Sequence, residues 1–378
     1  MARLITDNCH LDFIGNKAIK RYTNSYTVDY ELEMINRFQS KFKVHPIRID
    51  ERTYEMERCQ CSLGDSKLFY DESFSRVLFT MSYEDMKTQL YTILEDLKTS
   101  GIQFNDINPG NILFDECNRM FKLTDFYWCN READANQFYG KNDALAIEFI
   151  LFDIRRHINT MLIKSHKAIE EFTANVGKVY NDGSFVAPGV AYQMVDIPHF
   201  RHIPHYHEHC IEEYYTIREH IIGPTTIADI GAASGFFTFN LIRDFFIDHA
   251  IIYETDAPVV RLLEKIKELY YLPLDLRGRF DDTTRFKADV TIWMNNYQWI
   301  DKEIGKERAL QCLANVIQDS KMVFFQPAGK ESAGTATVEH FKNKAATMEY
   351  IRAAGGKPEF IRTTMKHGGK RHLFKITK

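Results

Sequence analysis

The sequence predicts two domains of different fold class, an α+β domain followed by an α/β domain with a parallel sheet. The chain has 378 residues, which is more than one hydrophobic core usually supports. Strand-like and helical patterns mix irregularly in the first half, whereas strands and helices alternate in the second half. We place the first domain at 1–170, a linker and substrate-covering segment at 171–210, and the second domain at 211–378.

Composition favours a folded protein of a reducing compartment. Hydrophobic residues make up 44% of the chain and charged residues 26%, and the net charge is -4. This acidic balance gives no general attraction to nucleic acid, and the sequence has no clear basic and aromatic stripe. The seven cysteines show no repeated spacing, which favours free thiols and a cytoplasmic location. No apolar stretch is long enough to span a bilayer.

The first half begins with short strands around one helix, which lies in VDYELEMINRFQSKF. A second helical pattern, YEDMKTQLYTILEDLKTSG, ends at Gly101, and a long helix is expected from Asp143 to Ala174. The stretch after it, NVGKVYNDGSFVAPGVAYQ, is rich in glycine, proline and turn-forming residues. It is therefore the best candidate for the linker.

The stretch GIQFNDINPGNILFDECNRMFKLTDFYW carries the chemistry of the first half. Asn111 follows Asp106 by five residues, and Asp125 follows Asn111 by fourteen. Phosphoryl transfer needs a carboxylate near the attacking hydroxyl and oxygen ligands that hold Mg²⁺ against the nucleotide phosphates. These three residues supply that set in the order of a kinase catalytic loop and metal loop.

This part of the chain resembles the protein-kinase-like fold, in particular its aminoglycoside-kinase-like and lipopolysaccharide-kinase-like members. The resemblance implies that Asp106 orients the acceptor hydroxyl, that Asn111 ligates Mg²⁺, and that Asp125 is the main metal ligand. Two positions depart from the family pattern. Asn105 replaces the usual arginine or glycine, and Tyr127 replaces the usual glycine.

Upstream residues complete the ATP site that the resemblance implies. Lys20 would hold the α and β phosphates, and Glu31 on the following helix would be its partner. The backbone near Arg58 and Cys59 would meet the adenine, and Asp143 would brace the catalytic loop. No glycine-rich phosphate loop is present before Lys20, so a pseudokinase that binds only a nucleotide or a partner stays an alternative to an active kinase.

The second half contains the strand and turn TTIADIGAASGFFTFNLI. A glycine-containing turn after a strand lets the backbone pass close to a ligand, and the next strand ends in Glu254, where a carboxylate can bind a ribose diol. These features alone fit a nicotinamide enzyme as well as other nucleotide-binding enzymes. The candidate cofactor-binding residues of the turn are Asp229, Gly231, Ala232, Ala233 and Gly235.

The strand order that continues to the C-terminus resembles the Rossmann-like class I S-adenosylmethionine-dependent methyltransferases, over about Tyr192 to Lys378. The resemblance implies that Gly231 and its neighbours contact the methionine part of S-adenosylmethionine and that Glu254 binds its ribose. Asp281 or Asp282 would reach the adenine amine. Asn295 would line the methyl-transfer site.

A histidine-rich segment, YQMVDIPHFRHIPHYHEHC, precedes the methyltransferase-like core. Three readings stay open for it: a metal site, a segment that covers the substrate, or a packed linker. Arg201 within it is a candidate phosphate contact, because guanidinium forms paired hydrogen bonds with phosphate oxygens.

The two halves together resemble the bacterial kinase and methyltransferase enzymes that terminate O-antigen chains, although the order of the domains is reversed and no long coiled-coil pattern is present. The resemblance implies a bifunctional enzyme that uses ATP, Mg²⁺ and S-adenosylmethionine on a small-molecule or glycan acceptor. A methyltransferase with a regulatory pseudokinase domain, or one that acts on nucleic acid or protein, is the alternative. The oligomeric state is not predicted.

Overall fold

The structure is a computed structural model, and it describes residues 3–5, 9–59, 61–63, 72–130, 142–175, 191–207, 209–245, 247–328, 339–366 and 369–378. The chain divides into two compact units, Met1–Leu162 and Ile163–Lys378. Among the described residues, no helix is both long and apolar enough to cross a membrane.

The first unit opens with an antiparallel sheet and one helix. These elements are β1 (Arg3–Ile5), β2 (Cys9–Ile14), β3 (Lys17–Tyr22), α1 (Ser25–Arg37), β4 (Ile47–Asp50) and β5 (Thr53–Glu57). In the described part of the chain the sheet order is β1-β2-β3-β5-β4. Alternate residues of β3, namely Ala18, Lys20 and Tyr22, are buried, as the two-residue period of a strand requires. This alternation turns the amine of Lys20 away from solvent.

The rest of the first unit is mainly helical and includes a small antiparallel sheet. Its elements are β6 (Cys61–Ser62), α2 (Glu72–Thr80), α3 (Tyr83–Thr99), β7 (Ile112–Asp115), β8 (Met120–Leu123) and α4 (Asp143–Asn175). Gly101 has φ +63° just after α3, a conformation that favours glycine and ends the helix as predicted. The boundary between the two units falls within α4.

The second unit is an α/β fold. Its elements are β9 (Ala191–Gln193), β10 (His205–His207), α5 (His209–Arg218), β11 (Thr226–Ile230), α6 (Phe236–Asp244), β12 (His249–Tyr253), α7 (Ala257–Tyr270), β13 (Leu274–Arg277), β14 (Ala288–Met294), α8 (Tyr297–Ile304), α9 (Lys306–Asp319), β15 (Ser320–Gln326), α10 (Lys344–Ala353), β16 (Lys357–Lys366) and β17 (Gly369–Thr377). Part of the predicted linker, residues 176–190, lies outside the described residues.

The main sheet of this unit has the order β13-β12-β11-β14-β15-β17-β16 over the residues that the structure describes. Strands β11 to β15 run parallel, whereas β17 is antiparallel to both of its neighbours. The order reverses between β11 and β14, and ligands of such sheets bind beyond the carboxyl ends of the strands at this point. The sequence expectation of an α/β half with a parallel sheet agrees with strands β11 to β15.

Two turns set element boundaries in this unit. Strand β14 ends at Met294 and helix α8 begins at Tyr297, because Asn295 adopts φ +61° and turns the chain. A 3₁₀ turn, Glu339–Phe341, precedes α10, which starts after the Asn343 cap.

Candidate functional site

A buried ionic network links three of the predicted residues of the first unit. Lys20 Nζ lies 3.0 Å from Glu31 Oε1 and 3.0 Å from Asp125 Oδ1. The backbone N–H of Phe126 donates to Glu31 Oε1 at 3.0 Å, and the Tyr22 hydroxyl donates to the same carboxylate. A strand lysine, a helix glutamate and an aspartate that lie far apart in sequence therefore meet at one point.

Electrostatics keeps this lysine charged. Burial lowers the pKa of Lys20, but the carboxylates of Asp125 and Glu31 outweigh burial and hold this pKa well above its usual value. Asp125 is 40% exposed at its side chain, whereas Glu31 is fully buried. Glu31 thus binds the Lys20 ammonium group on its buried side, and the partly exposed carboxylate of Asp125 can contact a ligand.

The predicted catalytic loop holds Asp106 through two asparagine side chains. Asn111 Nδ2 donates to Asp106 Oδ2 and to the Asp106 carbonyl, both at 2.9 Å. Asn108 Nδ2 donates to Asp106 Oδ1 at 3.2 Å, while its own Oδ1 accepts from the backbone N–H groups of Gly110 and Asn111. Both carboxylate oxygens of Asp106 are therefore oriented by amides.

Sequence reasoning missed the part played by Asn108. The signal for it was the Asn-Pro dipeptide, because an asparagine before a proline favours a turn that its own side chain closes. In the structure this residue caps the 3₁₀ turn Pro109–Asn111.

The β7–β8 hairpin brings Asp125 close to Asn111 of the predicted catalytic loop. Ile112 pairs with Leu123, and the backbone N–H of Thr124 donates to the Asn111 carbonyl at 3.1 Å. Asn111 and Asp125 therefore flank the same end of the hairpin. Asp125 itself has φ +66°, which aspartate tolerates better than most residues.

Asp143 braces the predicted catalytic loop from the start of α4. Its carboxylate accepts from the backbone N–H groups of Phe104 at 2.7 Å and of Asn105 at 3.0 Å. Burial raises the pKa of Asp143, and these two hydrogen bonds oppose that rise. Asn105, which departs from the family pattern, has φ +66° and so turns the chain immediately before Asp106.

The change Asp143→Ala is expected to destabilise the first unit, because it leaves the N–H donors of Phe104 and Asn105 without this acceptor. A buried donor without a partner costs about 1–3 kcal/mol, so the melting temperature should fall clearly in a thermal scan. The matched control is Asn142→Ala, which removes only the capping bond from exposed Asn142 to Leu145 N–H. Equal melting temperatures for the two variants would contradict the bracing role.

One backbone N–H group that was predicted to meet adenine already has a hydrogen-bond partner in the protein. The Arg58 backbone N–H donates to the Asn16 carbonyl at 3.0 Å, which continues the pairing of β3 with β5. This donor is therefore not available to adenine, and an adenine contact would fall to Cys59 or to residues after it.

In the second unit, the glycine turn follows β11 at the point where the strand order reverses. Gly231 has φ +69°, and a Cβ atom built on it would lie 1.6 Å from Asn296 Nδ2. That amide donates to the Ile230 carbonyl at 2.7 Å. Gly235 has φ +79°, and a Cβ there would meet Phe239 and Leu263 at 2.9–3.0 Å. Both glycines are required by close neighbours within the protein.

Glu254, which directly follows β12, contacts this turn. Its Oε2 accepts from Ala233 N–H at 2.9 Å, and its Oε1 accepts from the N–H groups of Thr255 and Asp256. Burial raises the pKa of Glu254, while these hydrogen bonds act in the opposite direction. A carboxylate oxygen has two acceptor positions, so Oε2 retains one for a further donor. Ala232 is buried within the same turn.

Asp229 lies beneath the turn, away from solvent. It is 3% exposed, and its Oδ2 accepts from Thr238 Oγ1 at 2.8 Å. Burial raises the pKa of Asp229 to about 7. The geometry therefore gives Asp229 a supporting position under the turn, between β11 and α6.

This pKa predicts a pH-dependent stability difference. Between the usual aspartate pKa of 3.8 and about 7, the unfolded chain loses a proton that folded Asp229 keeps, so the free energy of unfolding falls as the pH rises. Asp229→Asn removes this pH-dependent contribution. The melting temperature of Asp229→Asn minus that of the wild type should therefore increase from pH 4 to pH 7 and then level off. Exposed Asp248→Asn is the control. A difference that does not change with pH would contradict the buried-acid assignment.

The other predicted cofactor residues are held by local partners. Asp281 Oδ1 accepts from the backbone and hydroxyl of Thr283, and Asp282 forms a paired salt bridge with Arg308 at 2.6 Å. Asn295 N–H donates to the Gln326 carbonyl at 2.7 Å, whereas Asn295 Oδ1 is buried without a partner among the described residues. An unpartnered acceptor at the carboxyl edge of the sheet fits a ligand-lined position.

The histidine-rich segment packs beside the glycine turn. Ser234 Oγ donates to the Gln193 carbonyl at 2.9 Å, and the buried Gln193 Oε1 has no partner among the described residues. The described residues include no group of three or more histidine, cysteine, aspartate or glutamate side chains that would hold a metal ion. The side chains of His207 and His209 lie outside the described set.

Arg201, the predicted phosphate contact, is paired with a carboxylate of the chain while its side chain is 52% exposed, so the phosphate contact stays a prediction. Arg201 pairs with Asp196 through Nε and Nη2, each at 2.8 Å, and Arg243 Nη2 binds the other oxygen of Asp196 at 2.8 Å. A buried carboxylate needs such compensation, and the charge of Arg201 is used to provide it.

No known protein-family model matches the sequence, and no curated protein does. Among solved structures, EvdMO1 is 17% identical over 46% of this chain and 41% of its own, with a TM-score of 0.36. The N-terminal domain of EvdMO1, in the presence of SAH and D-fucose, is 14% identical over 57% of this chain and 95% of its own, with a TM-score of 0.40. The bifunctional kinase-methyltransferase WbdD is 14% identical over 44% of this chain and 38% of its own, with a TM-score of 0.36. The chain thus spans less than half the length of EvdMO1 and of WbdD, and likenesses of this size assign no function to it.

Proposed function

We propose that the chain is a bifunctional enzyme. The first unit would transfer phosphate from ATP, and the second would transfer a methyl group from S-adenosylmethionine, to a hydroxyl-bearing acceptor such as a glycan or another saccharide. The observation that carries the proposal is the meeting of Lys20 with Glu31 and Asp125, at 3.0 Å each. The resemblance predicted the pair of Lys20 and Glu31, and Asp125, the predicted metal ligand, joins it from 105 positions away in the sequence.

The donor set of the first unit suits Mg-ATP. Carboxylate and amide oxygens are preferred ligands of Mg²⁺, and Asp125 with Asn111 would supply them at the end of the β7–β8 hairpin. The Asn111 amide uses Nδ2 to bind Asp106, which leaves its oxygen on the opposite side. Lys20 would bind the α and β phosphates, and bound Mg²⁺ would neutralise charge on the phosphates during transfer.

Asp106 would act on the acceptor. Its carboxylate is fixed by the amides of Asn108 and Asn111, so it would orient the acceptor hydroxyl and accept its proton. This fixed orientation supports an active kinase over a pseudokinase. The pseudokinase alternative rests on the missing glycine-rich loop, and residues 6–8, between β1 and β2, lie outside the described residues.

The second unit supports S-adenosylmethionine binding at the carboxyl edge of its sheet. Glu254 keeps one acceptor position for a ribose hydroxyl. The buried and unpartnered oxygens of Gln193 and Asn295 flank the turn and offer acceptors to a bound amine or hydroxyl. S-adenosylmethionine would supply the methyl group, and the chain would bind the cofactor and position the acceptor beside it.

Labelled transfer tests this proposal. The full chain is incubated with methyl-labelled S-adenosylmethionine and pools of sugars, glycolipids, RNA or protein, with and without ATP. We expect label in the saccharide pools, and ATP-dependent phosphate transfer that Asp106→Ala suppresses. Methyl label in RNA or protein alone would favour the alternative methyltransferase functions. Unchanged ATP-dependent products in Asp106→Ala would favour a pseudokinase.

A further inference from the structure

Arg371 lies at the carboxyl edge of the main sheet, beyond β15. Phe325 pairs with Phe374 near the end of β15, and because β17 is antiparallel to β15, Arg371, three residues before Phe374, lies beyond that end. Asn295, at the end of β14, is bonded to the last residue of β15. Arg371 therefore belongs to the same edge of the sheet as the proposed methyl-transfer site.

Two of the three guanidinium nitrogens of Arg371 are buried without a hydrogen-bond partner among the described residues. The residue is 3% exposed, and its Nε and Nη1 atoms have no hydrogen-bond partner within the described part of the chain. No described carboxylate lies within 4.0 Å of it. The side chain of Arg243, which is 5% exposed, is by contrast paired with Asp196. A buried charge without a partner is costly, so proteins rarely keep one without a use.

The groups around Arg371 are polar and already engaged with one another. Thr364 is its direct cross-strand neighbour, and the Thr364 hydroxyl accepts from Gln326 Nε2 at 3.1 Å and donates to Glu213 Oε1 at 3.2 Å. This chain of bonds fixes the carboxylate of Glu213 on Thr364. Gln326 Oε1 is also buried without a described partner, so the surroundings of Arg371 contain an unsatisfied acceptor beside the unsatisfied donors of the guanidinium.

We propose that Arg371 binds an oxyanion, phosphate or carboxylate, on the methyl acceptor. The proposal rests on the methyltransferase function proposed above, and it adds that the acceptor is anionic. The cofactor's own carboxylate is not the partner, because Gly231 and Glu254 directly follow β11 and β12, and β17 is three strand spacings of about 4.8 Å from β11. Guanidinium suits this task because its fork of N–H donors matches two oxygens of phosphate or carboxylate.

Calorimetry with inorganic phosphate and with acetate, each in chloride buffer containing S-adenosylhomocysteine, tests the proposal on the full chain. We expect the wild type to bind one or both anions. Arg371→Met should weaken this binding about tenfold or more, since charge-assisted hydrogen bonds are lost. The anion affinity of Arg371→Lys should lie between those of the wild type and of Arg371→Met. Arg362→Met is the matched control, because Arg362 lies on the adjacent strand β16 and pairs with Glu212. Preference for phosphate or for acetate identifies which oxyanion the acceptor carries.

Thermal unfolding separates a ligand site from a structural one. Without added anion, Arg371→Met should melt at or above the wild-type temperature, because it removes a buried charge that has no partner. A much lower melting temperature, anion binding that Arg371→Met leaves unchanged, or a wild type that binds neither anion would each overturn the inference. Binding of S-adenosylmethionine is measured on the same samples: its absence in the wild type would refute the proposed function, and its loss in Arg371→Met alone would assign Arg371 to the cofactor.

Discussion

Asp125→Ala is expected to abolish magnesium-dependent binding of ATP to the first unit. Asp125 offers a partly exposed carboxylate above the buried pair of Lys20 and Glu31. Loss of a group that merely supports a metal ligand costs about 10- to 100-fold in metal affinity, so loss of a direct ligand should cost at least about 100-fold. The measurement is calorimetric titration of the full chain with ATP, with Mg²⁺ and with EDTA.

The control for this prediction is Asp115→Ala. Asp115 lies at the end of β7 and bonds only to Asn118 in the adjacent turn among the contacts described here, so the same change of charge is made away from the site. Titration of Asp125→Ala should show no difference between Mg²⁺ and EDTA, whereas Asp115→Ala should match the wild type. If Asp125→Ala binds Mg-ATP as the wild type does, the metal-ligand role is wrong.

Gly231→Ala is expected to abolish S-adenosylmethionine binding and to destabilise the second unit. Its Cβ would lie 1.6 Å from Asn296 Nδ2, so the Asn296 side chain must leave the Ile230 carbonyl. The left-handed backbone, φ +69°, adds a strain of about 1–2 kcal/mol for a residue with a Cβ atom. The turn that would face the cofactor therefore cannot keep its shape.

The control is Gly223→Ala, which has φ +53° and no atom within 4 Å of the added Cβ. It carries the backbone strain without the collision. Calorimetry and thermal unfolding should show near-normal cofactor binding and a small loss of stability in Gly223→Ala. In Gly231→Ala, binding should be lost and the melting temperature should fall further. Equal behaviour of the two variants would show that the Asn296 contact does not shape the site.

The sequence was sufficient for features that depend on local spacing. Asn111 and Asp125 lie just before and just after one hairpin in the sequence, so the two are also close in space, and Asp106 lies five residues before Asn111. Glu31 was predicted as the partner of Lys20, and the two are 3.0 Å apart. This pairing came from the resemblance, since a lysine and a glutamate at that spacing more often lie on a solvated face.

Features that depend on packing between distant segments were not predictable. Gly231 was expected to leave space for a ligand, but the nearest group is Asn296, which only the β11–β14 pairing brings there. The position of Asp196, which both Arg201 and Arg243 bind, depends on packing against α6, 47 residues further along the chain. Arg371 showed no sequence signal, because basic residues beside a glycine turn between two strands usually carry solvated charges.

One titration tests the central claim, two separate ligand sites in one chain, most directly. Mg-ATP and S-adenosylmethionine are titrated in turn into the same sample of the full chain. We expect one site for each ligand, with Asp125→Ala losing only Mg-ATP binding and Gly231→Ala losing only S-adenosylmethionine binding. Failure of the wild type to bind either ligand, or loss of both ligands in a single variant that remains folded, would contradict it.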